Sequence, residues 1–308
     1  MKNKFMTRFA HIFGLAVFIA AIAFSFTACG DDEEETVPII IESSLPIEMV
    51  NIPGGSFQMG NPDTSDGYSD ERPVHTVTLT GFKMSKYQVT QEQWVAVMGS
   101  GSNPSYYTSS PAAGEVQSKR PVESVSWYDA IEFCNALSVK EGLSPYYAID
   151  KVNKDPNNTN YYDNLKWTIT LNSSANGYRL PTEAQWEYAA KGGNGSPGSY
   201  TYAGSNTVGD VAWYEDNSDY KTHEVGKKAA NGLGLYDMSG NVWEWCWDWY
   251  GDYSSGAQTD PTGAVSGADR VIRGGSWIDS AEHVRSAYRD YGDPGSRGSN
   301  IGFRLVRP

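Results

Sequence analysis

The sequence predicts an α+β domain of low regularity, a large and loop-rich body with few short helices and strands. Three observations predict it. Glycine (32), tyrosine (20) and tryptophan (10) are all abundant, a composition of turns and bulky packing groups. Stretches with helical period are few and short, and segments with the period of two of half-buried strands run between them. Long connections join these pieces. Their backbone polar groups need partners that hydrophobic burial cannot supply, and bound metal ions are a common solution.

In chain order, the first 28 residues stand apart. Lys2, Lys4 and Arg8 form a basic start, Ile12 to Phe26 an apolar run, and small residues lead up to Cys29. That is the layout of a secretory signal. The apolar run is shorter than the roughly 20 residues of a membrane-spanning helix. A cysteine directly after small residues resembles the lipobox of bacterial lipoproteins, with Phe26 where leucine is usual. A triacylated cysteine buries enough methylene groups to hold a protein on a membrane. Residues 1–28 are therefore expected to be a signal peptide, and 29–46 an acidic tether starting at lipidated Cys29. Asp31 to Glu35 are five consecutive acids, which repel one another and stay solvated. Such a run after the lipidated cysteine resembles the signal that sends some Gram-negative lipoproteins to the outer face of the outer membrane. The expected location is a surface-exposed outer-membrane lipoprotein, with a periplasm-facing one as the alternative. Removal of residues 1–28 leaves 280 residues and takes away three basic side chains and no acid, so the net charge moves from −13 to −16. Nothing in such a chain neutralises phosphates, and nucleic acid is excluded as a partner.

The globular part spans 47–308. MVNIPGGSFQMG reads as strand, glycine turn, strand. VHTVTLTGFKMSKYQVT alternates through Val77 and Leu79 and then starts a second strand-like run. Three helices have capping boxes: Thr90 with Gln93 before Trp94, Val97 and Met98; Ser126 with Asp129 before Ile131, Cys134 and Leu137; Thr182 with Gln185 before Trp186, Ala189 and Ala190. Gly192 supplies the stop of the third. Lys151 to Leu165, rich in Asn, Asp and Tyr, reads as an exposed excursion, and Lys191 to Ser199 as a short glycine-serine loop. Two cysteines follow Cys29, Cys134 and Cys246; they can pair once or not at all.

GLGLYDMSGNVWEWCWDWY is the densest segment. Trp243, Trp245, Trp247 and Trp249 fall on one face of a strand, and Glu244, Cys246 and Asp248 on the other. The tryptophans are either an aromatic platform for a carbohydrate or peptide, or a core strand, and the area aromatics bury favours the core. Asp237 and Glu244 flank a tight Ser-Gly-Asn turn. Two carboxylates and turn carbonyls are the hard oxygen set a calcium ion takes, but an ordinary hairpin with solvated acids has the same spacing.

IPGGSFQMG, ERPVHTVTL, VTQEQWVAVMG, RPVESVSWYDAIEFCNALS, GYRLPTEAQWEYAAKGG, GLGLYDMSGNVWEW, RGGSW and SNIGFR follow one another in the order seen in the formylglycine-generating enzyme family, also called the sulfatase-modifying-factor domain. RLPTEAQWEYAA and LYDMSGNVWEW are its most specific pieces. The resemblance covers about Glu48 to Arg307 and implies a large, irregular C-type-lectin-like fold with two calcium ions. Carried over residue by residue, one calcium site would use the side chains of Asp237 and Glu244 and the carbonyls of Gly240 and Val242. Asn217, with Asp219 close by, would belong to the other.

The family's oxidases convert a cysteine of a substrate protein to formylglycine. They use a cysteine pair resembling a copper(I) site, for which soft thiolates are suited. The pair lies a few residues beyond the GGS motif. Here that segment reads Ile-Asp-Ser-Ala-Glu-His-Val (278–284), and no cysteine follows Cys246. Matching Arg285 and Arg289 to the family's next arginines makes the loop about three residues shorter. Copper is therefore not expected, and no residue is assigned a catalytic role. His283 with Asp279 and Glu282 is thin as a metal site, since one histidine is too few, and a surface turn is the plainer reading. Ser276 has no nearby base except His283. The iron-dependent branch of the family takes its histidines from an additional helical domain, for which the chain has no room.

A surface is left to consider. Trp243, Arg273, Ser276, Trp277, Asp279, Arg285 and Arg289 are expected to line a binding cleft. At least two of Arg273, Arg285, Arg289 and Arg304 are expected instead to pair with buried acids. The function expected is a membrane-tethered, calcium-stabilised binding or assembly module. It resembles the family's gliding-motility and secretion-associated lipoproteins, with a protein or glycan partner at the cell envelope. The alternative is a sulfatase-activating formylglycine-generating enzyme or a divergent oxidase of the same family.

Overall fold

The structure is a computed structural model that describes residues 47–308 except 64, 66 and 196–199. The expected signal peptide, the acidic tether and Cys29 lie outside the described residues. Among the described residues no helix is long and apolar enough to cross a membrane.

Three long helices and many short strands make up the body. Strands β1 (Met49–Ile52), β2 (Gly55–Met59), β3 (His75–Leu79) and β4 (Phe82–Ser85) match the two strand–turn–strand stretches of the sequence. Neither stretch closes on itself. β1 pairs antiparallel with β4, and β2 antiparallel with β3. The two turns press together: a Cβ on Gly54 would lie 2.8 Å from both Gly81 N and Leu79 O. Only a glycine allows that approach, and the crossing sends each strand to the other stretch's partner. The helices α1 (Gln91–Met98), α2 (Trp127–Lys140) and α3 (Glu183–Ala190) begin at Thr90, Ser126 and Thr182. Each carries both halves of the capping box.

β5 (Tyr147–Lys154) and β6 (Trp167–Leu171) form an antiparallel hairpin. The expected excursion from Lys151 to Leu165 is largely exposed, with Asn158, Asn160 and Asp163 buried as its anchors. Its first residues continue β5, and its loop is tied down from below. Asp163, buried, accepts from Tyr128 Oη at 2.6 Å and from Asn158 Nδ2 at 2.7 Å. Tyr161 and Tyr162 remain exposed.

Helix α4 (Val208–Val211) leads into β7 (Ala212–Trp213), which runs parallel to β8 (Ser239–Gly240). The central sheet then follows, in the order β12 (Arg289–Gly292), β11 (Arg270–Arg273), β9 (Trp243–Trp249) and β13 (Ile301–Gly302). The short strands β10 (Gln258–Thr259) and β14 (Val306–Arg307) extend the sheets of β3 and β4.

β9 is the spine. Trp243, Trp245 and Trp247 pack into the cluster built by α1 and α2, where Trp127 and Trp247 ring centroids are 5.4 Å apart. The other face turns toward α3: Cys246 lies in its cluster, Glu244 meets Trp186 and Asp248 meets Glu183. Both faces are thus buried, and the tryptophans are core rather than platform. Each buries about 150–250 Å². Their indole N–H groups still need acceptors, and Trp245 finds the Val125 carbonyl at 2.9 Å.

Candidate functional site

The turn before β9 gathers oxygens around one side chain. Gln88, 1% exposed, lies between β4 and α1. Its Nε2 is 3.2 Å from the Asp237 carbonyl, 3.3 Å from Gly240 O, 2.9 Å from Val242 O and 3.0 Å from Glu244 Oε1. An amide nitrogen has two hydrogens and cannot serve four acceptors. Gln88 Oε1, also buried, has no partner among the described residues. Four convergent oxygens and one orphaned amide oxygen on the same side chain fit a hard divalent cation, which takes six to eight oxygen ligands. With the amide turned by half a turn, Gln88 would join Gly240, Val242, Glu244 and the Asp237 carbonyl in holding calcium.

One expectation about this site changes, and the side chain of Asn217, expected at the other calcium site, is engaged locally. Asp237 faces the cluster with its main-chain carbonyl, not its carboxylate, because Asp237 Oδ2 is taken by the Gly226 N–H at 2.7 Å. Burial pushes that carboxyl up to about 6 despite this bond. Asn217 closes a local turn: its Oδ1 accepts from Tyr214 N at 2.9 Å and its Nδ2 donates to Ala212 O at 3.0 Å. It joins no set of carboxylates, and no group of three or more His, Cys, Asp or Glu among the described residues is arranged to hold a metal. Gln88 was the residue that sequence reasoning missed. It lies 149 to 156 positions from its partners, and no local signal marks it.

The RGGSW loop is shaped by the same turn. Gly240 N donates to Gly274 O at 2.7 Å and Trp277 N to Asn241 O at 2.9 Å. Gly275 has φ +68°, and a Cβ there would come within 2.6 Å of Val284 Cγ1, so the backbone turns where no other residue fits.

The arginines point inward. Arg273 Nη2 meets Glu187 Oε2 at 2.5 Å, and the guanidinium also serves the carbonyls of Ser286, Ala287 and Tyr288. Arg285 forms a fork on Glu71 at 2.9 and 2.6 Å, and Arg289 one on Glu183 at 2.8 and 2.7 Å. Arg304 holds Glu244 at 2.6 and 2.7 Å. All four arginines and their glutamates are buried. Burial alone would push Glu71 and Glu187 up; the ion pairs and backbone N–H bonds outweigh it and hold both below the ordinary glutamate value.

This corrects the expected cleft. Arg273, Arg285 and Arg289 are structural ion-pair members, each held by a buried glutamate. Trp243 is core, and Ser276 is buried with its hydroxyl donating to Asp279 Oδ2. Part of the expected set does reach the surface. Of that set only Asp279 is half-buried, while Trp277 is buried and packs edge-on against Tyr107 at 5.3 Å. The Tyr107 hydroxyl donates to the Tyr220 carbonyl at 2.9 Å. Around them Tyr106, Tyr220 and Ile278 are exposed. His283 stacks on Tyr68 and meets Tyr288 at a tilt, with ring centroids 6.2 and 4.8 Å away.

Cys134 and Cys246 are both free, fully buried, and in different core clusters. Desolvation pushes both thiols well up.

Comparison with known proteins gives a consistent picture. A family model described as a sulfatase-modifying factor enzyme 1-like domain matches residues 42–308. The chain is 42% identical over 306 residues to "Chaperone protein LppX" of Paenibacillus barcinonensis, covering 94% of this chain and 96% of that one. It is 31% identical over 280 residues to a formylglycine-generating enzyme of Streptomyces coelicolor, covering 83% and 88%. Among solved structures, Treponema denticola variable protein 1 superposes with a TM-score of 0.74 at 43% identity, covering 84% of this chain and 95% of that one.

Proposed function

This chain belongs to the sulfatase-modifying-factor (formylglycine-generating enzyme) family, and on that premise we propose that it is a member without the oxidase chemistry. On this reading it is a calcium-stabilised binding or assembly module, held at the outer membrane by a lipid on Cys29. It faces the cell surface, with the periplasm as the alternative. One observation carries the reading. No thiol lies between Ile278 and Val284, and the two cysteines of the folded body are sealed in separate cores with their thiols disfavoured as thiolates. Copper(I) oxidation by a thiolate pair needs exposed, ionised sulfur. The name of the LppX relative, a chaperone, supports a role in binding. The face carrying Ile278, Asp279, Tyr106 and Tyr220 is where a protein or glycan at the cell envelope would be met. Its exposed aromatic rings offer contact area at small entropic cost.

The test is direct. Purified protein supplied with copper(I) and a Cys-x-Pro-x-Arg peptide is expected to leave the peptide mass unchanged and to retain no copper after desalting. Formylglycine in that peptide would replace the binding-module reading with the oxidase one.

A further inference from the structure

A cavity of about 150 Å³ opens at the C-terminal end of β9. It shares only Arg289 with the residues considered above for a cleft. Its floor is Asp248, 3% exposed. Asp248 Oδ2 accepts the first N–H of α3, from Glu183, at 2.9 Å. Oδ1 meets no donor among the described residues and is left to the cavity. His75, 4% exposed, also lines the cavity and has Nδ1 3.0 Å from the Pro73 carbonyl. That contact makes Nδ1 the donor and leaves Nε2 as a lone-pair acceptor with no partner among the described residues. The cavity therefore holds two nearly buried acceptors in want of donors.

The α3 acids near Asp248 are paired with other side chains, while the charges of Arg270 and Arg289 lower its carboxyl without offsetting its burial. From α3, Glu183 is paired with Arg289 of β12, and Glu187 with Arg273 and Lys191. From β11, Arg270 lies over the Trp249 ring at 3.4 Å and donates to the Trp247 carbonyl. No protein cation makes an ion pair with Asp248 among the described residues. Asp252, exposed on the rim, adds negative potential. Burial first, and then the charge of Glu183, pushes Asp248 up to about 7. A buried carboxylate with one unserved oxygen is costly, and an external cation would relieve it. The walls beside it are Trp249, Tyr253, Met59 and Ala264, aromatic and aliphatic. Two side-chain ligands are too few for a zinc-type ion.

We propose that this cavity binds a small organic cation, an alkylammonium group that donates to Asp248 Oδ1 and His75 Nε2. Its alkyl portion lies against Met59, Ala264 and the Trp249 and Tyr253 rings. An ammonium carries three donors and no acceptor, the complement of what the cavity presents, and the rings attract it through their negative faces. The cation is either a free amine or the end of a lysine side chain.

Calorimetric titration of the whole protein at pH 8 tests this with n-butylammonium. n-Butanol and butyrate serve as comparators of similar size, and Nα-acetyl-lysine methylamide is the second amine. Saturable binding of butylammonium, at least tenfold tighter than butanol and with no binding of butyrate, is the expected result. Whichever amine binds tighter identifies the source. Asp248→Asn keeps an oxygen for the Glu183 N–H and should weaken amine binding tenfold or more. Ala264→Leu, at an exposed position, should block the mouth while leaving the melting temperature unchanged. Affinity should fall several-fold from pH 8 to pH 6, as Asp248 takes up its proton. Equal binding of butanol and butylammonium, undiminished binding in folded Asp248→Asn, or no binding of either amine would overturn the proposal.

Discussion

Arg273 shows at the scale of one residue how this molecule tolerates charge in its interior. Its guanidinium, 0% exposed, is met by Glu187 and by the carbonyls of the segment 286–288. Such pairs add little net stability over a well-packed apolar core, but losing one partner strands the other. Glu187→Gln is thus expected to cost on the order of 3–5 kcal/mol in denaturant titration at pH 7. The pH dependence has a definite sign. The folded state holds Glu187 and Glu71 below the ordinary glutamate value, so the unfolded chain takes up their protons first. Their contribution is full above the unfolded value of 4.5 and is lost as pH falls through the folded values. The gap between parent and Glu187→Gln should accordingly narrow on acidification below pH 4.5. A gap that stayed constant would remove Glu187 from the ion-pair account. The RGGSW segment was legible as a framework of arginines. Which of them faced solvent was not, because a guanidinium on a short strand can turn either way until its glutamate is in place.

At the scale of elements, α3 carries the most consequence for its length. Glu183 and Glu187 are four residues apart and share a face, so a single helix delivers both carboxylates to Arg289 and Arg273. Trp186 reaches Glu244 from the turn between them. The orientation of α3 is fixed at its start, where Thr182 Oγ1 accepts from Gln185 N at 3.2 Å and Gln185 Oε1 returns a bond to Thr182 N. Thr182→Ala is expected to lower stability by about 1 kcal/mol and to speed hydrogen exchange at the Gln185 amide. Unchanged protection there would show that packing, not the cap, orients the helix. All three long helices were legible because a capping box is local, completed within four residues. Strand pairing was not. β1 and β2 read as one hairpin, yet each pairs with a strand from the other stretch, since the choice is made by two turns in contact.

For the whole molecule, the loops leading into β9 converge on the oxygens around Gln88 and join distant segments there. If calcium is held at that point, it binds the native state alone and stabilises by mass action, about 2.7 kcal/mol at a hundredfold excess over Kd. Chelation is expected to lower the melting temperature by several degrees, at roughly 2–4 °C per kcal/mol for a domain of this size. Gln88→Met should abolish the calcium response while remaining folded. A melting curve unaffected by chelator would withdraw calcium from the site.

What the sequence determined by itself was what local chemistry can encode: helix starts, the alternation of β9, the absence of a thiol after Cys246 and the family. The tertiary structure decided everything that depends on distant groups meeting. It turned four arginines inward, gave the Asp237 carboxylate to Gly226, brought Gln88 into the oxygen cluster and left one Asp248 oxygen without a donor among the described residues. The physical reason is the same in each case. A polar group's role depends on which partner desolvation forces upon it, and in a loop-rich fold that partner comes from far along the chain.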